Sequence, residues 1–238
     1  MSDIAKVLAA WAESKCSEIS IKNLLARNKV AYKWKAPYRS LVVRECVFWR
    51  IHDLLTQADI LYEARHILGS RILLRSALES IAVLVYLNQS IQKVLDQQID
   101  FHDFAETTSQ LLLVSKDGST KHAAINIVTV LKQCEKQYAG ISHLYATLSE
   151  SAHPNWEGLC FGYSKVDHKN YESHFSNRWE ELWSSSHDPI ALALTRILES
   201  EYFILWPSLI EQLEAWVESN DEMLEATKKG NSLRTEHN

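Results

Sequence analysis

No proline lies between Pro37 and Pro154, and the whole chain holds only six glycines. Helices tolerate both residues poorly, whereas β-turns require them, so their scarcity selects helices over a turn-rich β architecture. With 238 residues the chain is long enough for a full hydrophobic core in one large domain. The most apolar helical run, Ile72 to Leu87, carries Arg75 and Glu79 one turn apart. A pair at i, i+4 faces one side of a helix, and in so apolar a segment it must be neutralised inside the fold.

A net charge of −5 offers no global attraction to nucleic acid or to an anionic membrane. Cys16, Cys46, Cys134 and Cys160 are far apart and form no CxxC. That spacing excludes a zinc ribbon, gives no sign of a disulfide framework and points to a reducing cytoplasm. The first residues, with Asp3 and Glu13 around a short amphipathic run, do not read as a signal peptide. Arg75 and Glu79 also interrupt the best candidate for a membrane span, so a soluble chain without membrane contact is expected.

Helical periodicity places an amphipathic helix over residues 3–16, with Ile4, Val7, Leu8 and Trp11 on one face. Aromatics alternating with lysine from Val30 to Tyr38 suggest an extended connector. Leu41 to Tyr62 is helical again, and the next helix runs to Leu87. The break between these two is open to Gln57–Ile60, to Gly69-Ser70 or to none. Ser90 to Val114, Lys121 to Tyr138 and Ile141 to Ala152 complete the middle, with a turn at Lys116–Ser119. Residues 154–189 read as a long irregular loop or lid rich in aromatics. Asp188-Pro189 then supplies an N-cap and a proline at the first position of a last helix reaching Val217, kinked at Pro207. The division is an N-terminal helical arm and connector at 1–36, a helical bundle at 37–218 and a flexible polar tail at 219–238.

Two polar clusters stand out. Arg71 lies one turn before Arg75 and extends its line with Glu79. The second cluster is Leu148-Ser149-Glu150-Ser151-Ala152-His153-Pro154-Asn155, followed by Trp156. His153 at a helix C-terminus meets the negative end of the helix dipole, which suits it to bind an anion or donate a proton. Each cluster also has a structural explanation: an ion pair fixing helix register, and a histidine capping a helix end.

The pattern Arg-Ser-x-x-Glu at Arg75, Ser76 and Glu79, followed by Leu-Ser-x-x-x-His-Pro at Leu148, Ser149, His153 and Pro154, resembles a family of all-helical bacterial proteins of unknown function. That family is similar in architecture to HEPN (higher eukaryotes and prokaryotes nucleotide-binding) bundles. The resemblance spans Leu41 to Asn155. It implies an all-α, single HEPN-like bundle of about six to eight helices with a long irregular loop before the last. Many HEPN relatives are ribonuclease toxins or defence effectors that use an Arg followed after four to six residues by His. No Arg here has a His at that spacing, so the resemblance supports the fold more than the nuclease activity.

Other constellations compete. Glu63-x-x-His66 and Glu150-x-x-His153 have the spacing of carboxylate-bridged di-iron bundles, with Glu18 or Glu45 and Glu106 or Glu135 as further ligands. Glu45, His52, Asp59 and His66 recur every seven residues, with Glu63 alongside, the pattern of a solvated helix face or, if buried, of a metal site. Arg27, Lys29, Tyr32, Lys33, Trp34, Lys35, Tyr38 and Arg39 mix phosphate-neutralising and stacking groups, as single-strand binders do, or form a connector wrapping the bundle. Trp156, Tyr163, Tyr171, Trp179 and Trp183 suit a lid or a subunit contact. P-loop, dinucleotide-loop, nucleophile-elbow and HExxH motifs are missing.

Three functions remain. The first is a helical interaction or regulatory protein of a toxin–antitoxin or phage-defence system, homo-oligomeric, whose polar pocket binds a partner, RNA or nucleotide. Arg71, Asn155 and Trp156 would bind there, and no cofactor or metal is expected. The second is a ribonuclease with His153 as acid or base beside Arg75, Glu79 and Ser149, an arginine holding phosphate. The third is a metal-carboxylate oxidoreductase.

Overall fold

A computed structural model describes residues 3–113 and 125–232. The protein is mainly all-α, with one two-stranded sheet among the described residues. Chain contacts divide it into two compact units, each drawing on three stretches of sequence.

Unit 1 comprises Met1–Lys15, Val47–Ala82 and Ile127–Glu199. Helix α1 (Asp3–Glu13) buries Ile4, Leu8 and Trp11, the face its periodicity predicts. The Trp11 ring lies 5.8 Å from Phe48, and its indole N–H donates to Glu199 at 3.3 Å. Unit 2 comprises Cys16–Cys46, Val83–Asn126 and Ser200–Asn238. There α2 (Ile21–Arg27) and α3 (Lys29–Lys33) replace the extended connector expected from Val30 to Tyr38. Only Trp34 is extended, between α3 and α4 (Lys35–Glu63). Pro37 ends nothing, because it sits in the first turn of α4, where its missing N–H has no helical acceptor to serve.

The break between α4 and α5 (Ile67–Leu95) falls at neither of the positions considered from sequence. Arg65 adopts a left-handed conformation with φ 62°. Its N–H donates to the Tyr62 carbonyl at 2.9 Å, and the His66 N–H reaches the Leu61 carbonyl at 2.7 Å. This is a Schellman cap, normally built on glycine. Gly69 instead lies inside α5, where a Cβ would come within 3.0 Å of Leu61 Cδ1. The helix expected from Ser90 to Val114 is divided the same way. Gln97 (φ 56°) donates to Val94, and Gln98 donates to Lys93. Helix α6 (Phe101–Leu113) then begins. The expected turn at Lys116–Ser119 and the start of the helix from Lys121 lie outside the described residues.

In unit 1 the chain resumes with α7 (Ile127–Glu135) and α8 (Ile141–Ala152). The Glu135 carboxylate accepts the Gly140 and Ser142 N–H groups at 2.8 and 2.7 Å, capping α8, and those bonds lower its pKa. The expected irregular loop is largely structured. It holds a π-helical turn (Trp156–Phe161), the strands β1 (Ser164–Asp167) and β2 (Glu172–Phe175), α9 (Trp179–Trp183) and a 3₁₀ turn (Ser184–Ser186). The strands are antiparallel, pairing Ser164 with Phe175 and Asp167 with Glu172. Arg178 ties the hairpin down by donating to the Ser164 and Phe161 carbonyls at 2.7 and 3.1 Å.

Helix α10 (His187–Glu199) starts two residues before Pro189. A π-helical stretch, Ser200–Leu205, leads to α11 (Trp206–Ser219), with Pro207 in its first turn. The wider turn accommodates the proline, whose ring cannot follow regular α-helix hydrogen bonding. Residues of the expected polar tail form α12 (Asp221–Ser232), held in unit 2 by the indole N–H of Trp34 donating to Asp221 at 2.9 Å. No helix among the described residues is long and apolar enough to cross a membrane.

Candidate functional site

Both sequence motifs belong to unit 1, and the α5–α8 contact joins them. Arg71 is only 2% exposed. Its Nε donates to Ser151 Oγ at 2.8 Å, Nη1 to Ser186 Oγ at 3.1 Å and Nη2 to the Thr147 carbonyl at 3.3 Å. Its guanidinium also lies 5.4 Å from the Trp183 ring centroid. Burial lowers its pKa and the Glu157 carboxylate opposes this, but an arginine stays charged in either case. One turn on, Arg75 donates to the Tyr145 hydroxyl at 2.9 Å and pairs with Glu79 at 3.2 Å. That pair is half-buried, with side-chain exposures of 24% and 29%. Ser76 only bonds its own helix, donating to the Ile72 carbonyl.

The second motif splits in two. Ser149 presents a buried hydroxyl with no hydrogen-bond partner, and so does the Nε–H of Arg75. Buried polar atoms are nearly always satisfied, so these two orphans, on helices joined by the Arg75–Tyr145 bond, are exceptions within this cluster. His153 is different. It is exposed at the end of α8, where its backbone N–H donates to the Ser149 carbonyl, and the partners of Arg75 are Tyr145 and Glu79 instead. Asn155 caps the π-helical turn by accepting the Gly158 N–H at 2.9 Å, and it also bonds Glu150. Trp156 is 67% exposed and stacks on Phe161, with ring centroids 4.7 Å apart. From Phe161 the aromatic contacts continue to Trp183 and Trp179. An aromatic chain therefore runs from the surface to the buried guanidinium of Arg71.

Sequence reasoning missed a second buried group beside this one. His187 Nδ1 lies 2.9 Å from Ser70 Oγ, and its ring stacks on Tyr62 with centroids 4.0 Å apart. Its Nε2 is buried without a partner. Burial lowers the His187 pKa, with the carboxylates of Asp188 and Glu63 pulling the other way. The ring also sits at the N-terminus of α10, where the helix dipole disfavours a cation. With Ser186 and His187 adjacent, the rungs Arg71–Ser186 and Ser70–His187 fasten α5 to the start of α10. No spacing rule connects partners 117 positions apart. The one local signal was the Ser-His-Asp-Pro run, which reads as helix capping.

Among the described residues, no group of three or more His, Cys, Asp or Glu could hold a metal ion. Glu63 and His66 are exposed. Glu45 is bonded to Tyr202 and Arg44 in unit 2, and Glu135 is occupied as a cap. The seven-residue series is not a uniformly solvated face. Glu45 is buried, and His52 is half-buried with its Nε2 3.0 Å from the Leu8 carbonyl oxygen.

No family model, curated protein or solved structure matches the chain. The HEPN resemblance therefore rests on the motif residues alone.

Proposed function

We propose that the protein is a helical regulatory protein whose α5–α8 face binds a phosphate-bearing ligand, a nucleotide or RNA. The observation that carries this reading is the pair of unsatisfied buried donors, Arg75 Nε–H and the Ser149 hydroxyl. Both are covered in this structure, and a movement of the side chains over them would let them donate to an acceptor-rich anion, where a guanidinium suits a phosphate oxygen better than a neutral acceptor. Trp156 supplies an exposed ring next to the cluster in sequence, on which a base can stack. A toxin–antitoxin or defence setting follows from the motif resemblance. A homo-oligomer follows from the exposed aromatics of the hairpin region, including Tyr171 and Phe175.

The test is titration of the protein with ATP and with a short single-stranded RNA, followed by calorimetry. Arg75→Gln should weaken binding by about tenfold or more, the loss expected for a charge-assisted hydrogen bond. Ser149→Ala should weaken it less. Circular dichroism would establish that both variants fold. Absence of saturable binding of either ligand by the wild type sinks the proposal. The ribonuclease alternative has less support, since no hydrogen bond or ion pair joins the exposed His153 ring to Arg75. RNA degradation is expected to be equal in wild type and His153→Ala.

A further inference from the structure

Unit 2 contains a cavity of about 320 Å³ that the phosphate site does not use. Its walls come from α2, α3, α4 and α6, through Ile21, Leu24, Tyr32, Leu112, Leu113 and Tyr38, with Lys35 and Arg39 as its charged lining. The surface it offers is overwhelmingly apolar, and no acidic residue lines it. Ile21 and Leu113 are about half exposed at 51% and 50%, so the apolar wall continues outward. The volume lies at the lower end of the range of small-ligand pockets, roughly 300–1,000 Å³.

The two cations differ from their neighbours in sequence. Arg27 is paired with Glu214, and Lys33 with Asp221 and Glu225. Lys35 and Arg39 have no carboxylate partner among the described residues. Arg39 donates only to Ser109 Oγ and, at 3.4 Å, to the Ala105 carbonyl. Spaced i, i+4, they share one face of α4. An apolar slot bearing two unpaired cations on a single face is complementary to a molecule with a greasy tail and an anionic head.

We propose that this cavity binds a single-chain carboxylate amphiphile, a medium-chain fatty acid. Its tail lies among Ile21, Leu24, Leu112 and Leu113, and its carboxylate between Lys35 and Arg39. The tail supplies affinity by leaving water, and the cations select an acid over an alcohol or an amine. The site is separate from the α5–α8 face, so either proposal stands if the other fails.

Calorimetric titration of the full chain with decanoate, decanol, decylamine and acetate tests it, all below their aggregation concentrations. Decanoate should bind saturably at one site. Decanol should bind about tenfold more weakly, and acetate and decylamine not at all. Lys35→Gln should cost about tenfold in decanoate affinity and leave decanol unchanged. Lys35→Glu, which would pair with Arg39 one turn on, should remove the preference for decanoate over decanol. Leu112→Trp fills the cavity and should abolish binding of both decanoate and decanol. The proposal is overturned by any one of three results: no saturable decanoate binding by the wild type, equal affinity for decanoate and decanol, or unchanged decanoate binding in Leu112→Trp with native circular dichroism.

Discussion

Arg71 holds three partners from two elements with one planar group: Ser151 and Thr147 of α8, and Ser186 of the 3₁₀ turn. Removing it takes away the donor to the Thr147 carbonyl and leaves the Ser151 and Ser186 hydroxyls only their bonds to Glu157 and to the Trp183 carbonyl, and a buried group left unsatisfied costs about 1–3 kcal/mol. Arg71→Ala should therefore destabilise the protein by about 3 kcal/mol in urea unfolding, and Arg71→Lys by nearly as much, because a single ammonium cannot reproduce the fork. A loss under about 1 kcal/mol would show that Arg71 does not hold these elements together. His187 gives a pH dependence of known sign. Its folded pKa lies below the ordinary value, so between the two the unfolded chain binds more protons and stability rises with pH. The contribution is complete above the unfolded pKa and is lost as pH falls below it. Burial also lowers the pKa of His52, which acts in the same direction. Asp59, raised by burial and by Glu63 and Asp188, acts oppositely, above the ordinary carboxylate value. The midpoint of thermal unfolding should fall on acidification from neutrality, and the fall should be shallower in His187→Gln. An identical pH profile in the two proteins would refute this assignment.

At the scale of elements, the least readable features are those where the chain uses an uncommon residue for a common task. Arg65 and Gln97 end α4 and α5 in left-handed conformations that glycine adopts without strain, so neither residue announces a stop in sequence. The left-handed region costs an L-residue roughly 1–2 kcal/mol. Glycine returns about 0.4–1 kcal/mol of that through its freer unfolded chain. Arg65→Gly and Gln97→Gly should each stabilise the protein by about 0.5–1 kcal/mol, measured as a shift in urea midpoint at unchanged slope. Arg65 loses only an exposed ion pair with Glu180 in the exchange. Glycine matters instead where sequence reading passed over it. A Cβ at Gly162 would lie 2.7 Å from three atoms of the Trp179 indole, which is itself 1% exposed and cannot retreat. Gly162→Ala should cost about 1–3 kcal/mol, the usual cost of overpacking. A neutral Gly162→Ala would mean that the hairpin base is looser than this contact implies. The amphipathic helices were readable because burial follows their period, as with Ile4, Leu8 and Trp11. The hairpin was not, since β2 is exposed throughout and shows no alternation to read.

At the scale of the whole molecule, charge decides between two surfaces that sequence left open for nucleic acid. The basic-aromatic stretch looks like a single-strand platform until its partners are known. Glu214 meets Arg27 and Tyr32, Asp221 and Glu225 meet Lys33, and Asp221 also takes the Trp34 N–H. These carboxylates arrive from positions more than 180 residues away, so no local pattern could reveal that Arg27 and Lys33 are neutralised while Lys35 and Arg39 are not. The α5–α8 cluster was readable in part, because Arg71, Arg75 and Glu79 fall on one helix face. Their meeting with Tyr145, Thr147 and Ser151 depends on tertiary packing alone. Salt dependence separates the two surfaces in solution. Each phosphate neutralised on a single strand contributes about −0.7 to the slope of log affinity against log salt. If Arg75 is the one guanidinium available to phosphate, with Arg71 buried, single-stranded RNA should show a slope of about −0.7 that vanishes in Arg75→Gln. Binding through the five cations Arg27, Lys29, Lys33, Lys35 and Arg39 would give about −3.5 and would ignore that substitution. On a chain of net charge −5, with no long-range attraction to add to either value, the measured slope counts the local contacts directly. A steep slope would move the nucleic-acid site from unit 1 to unit 2.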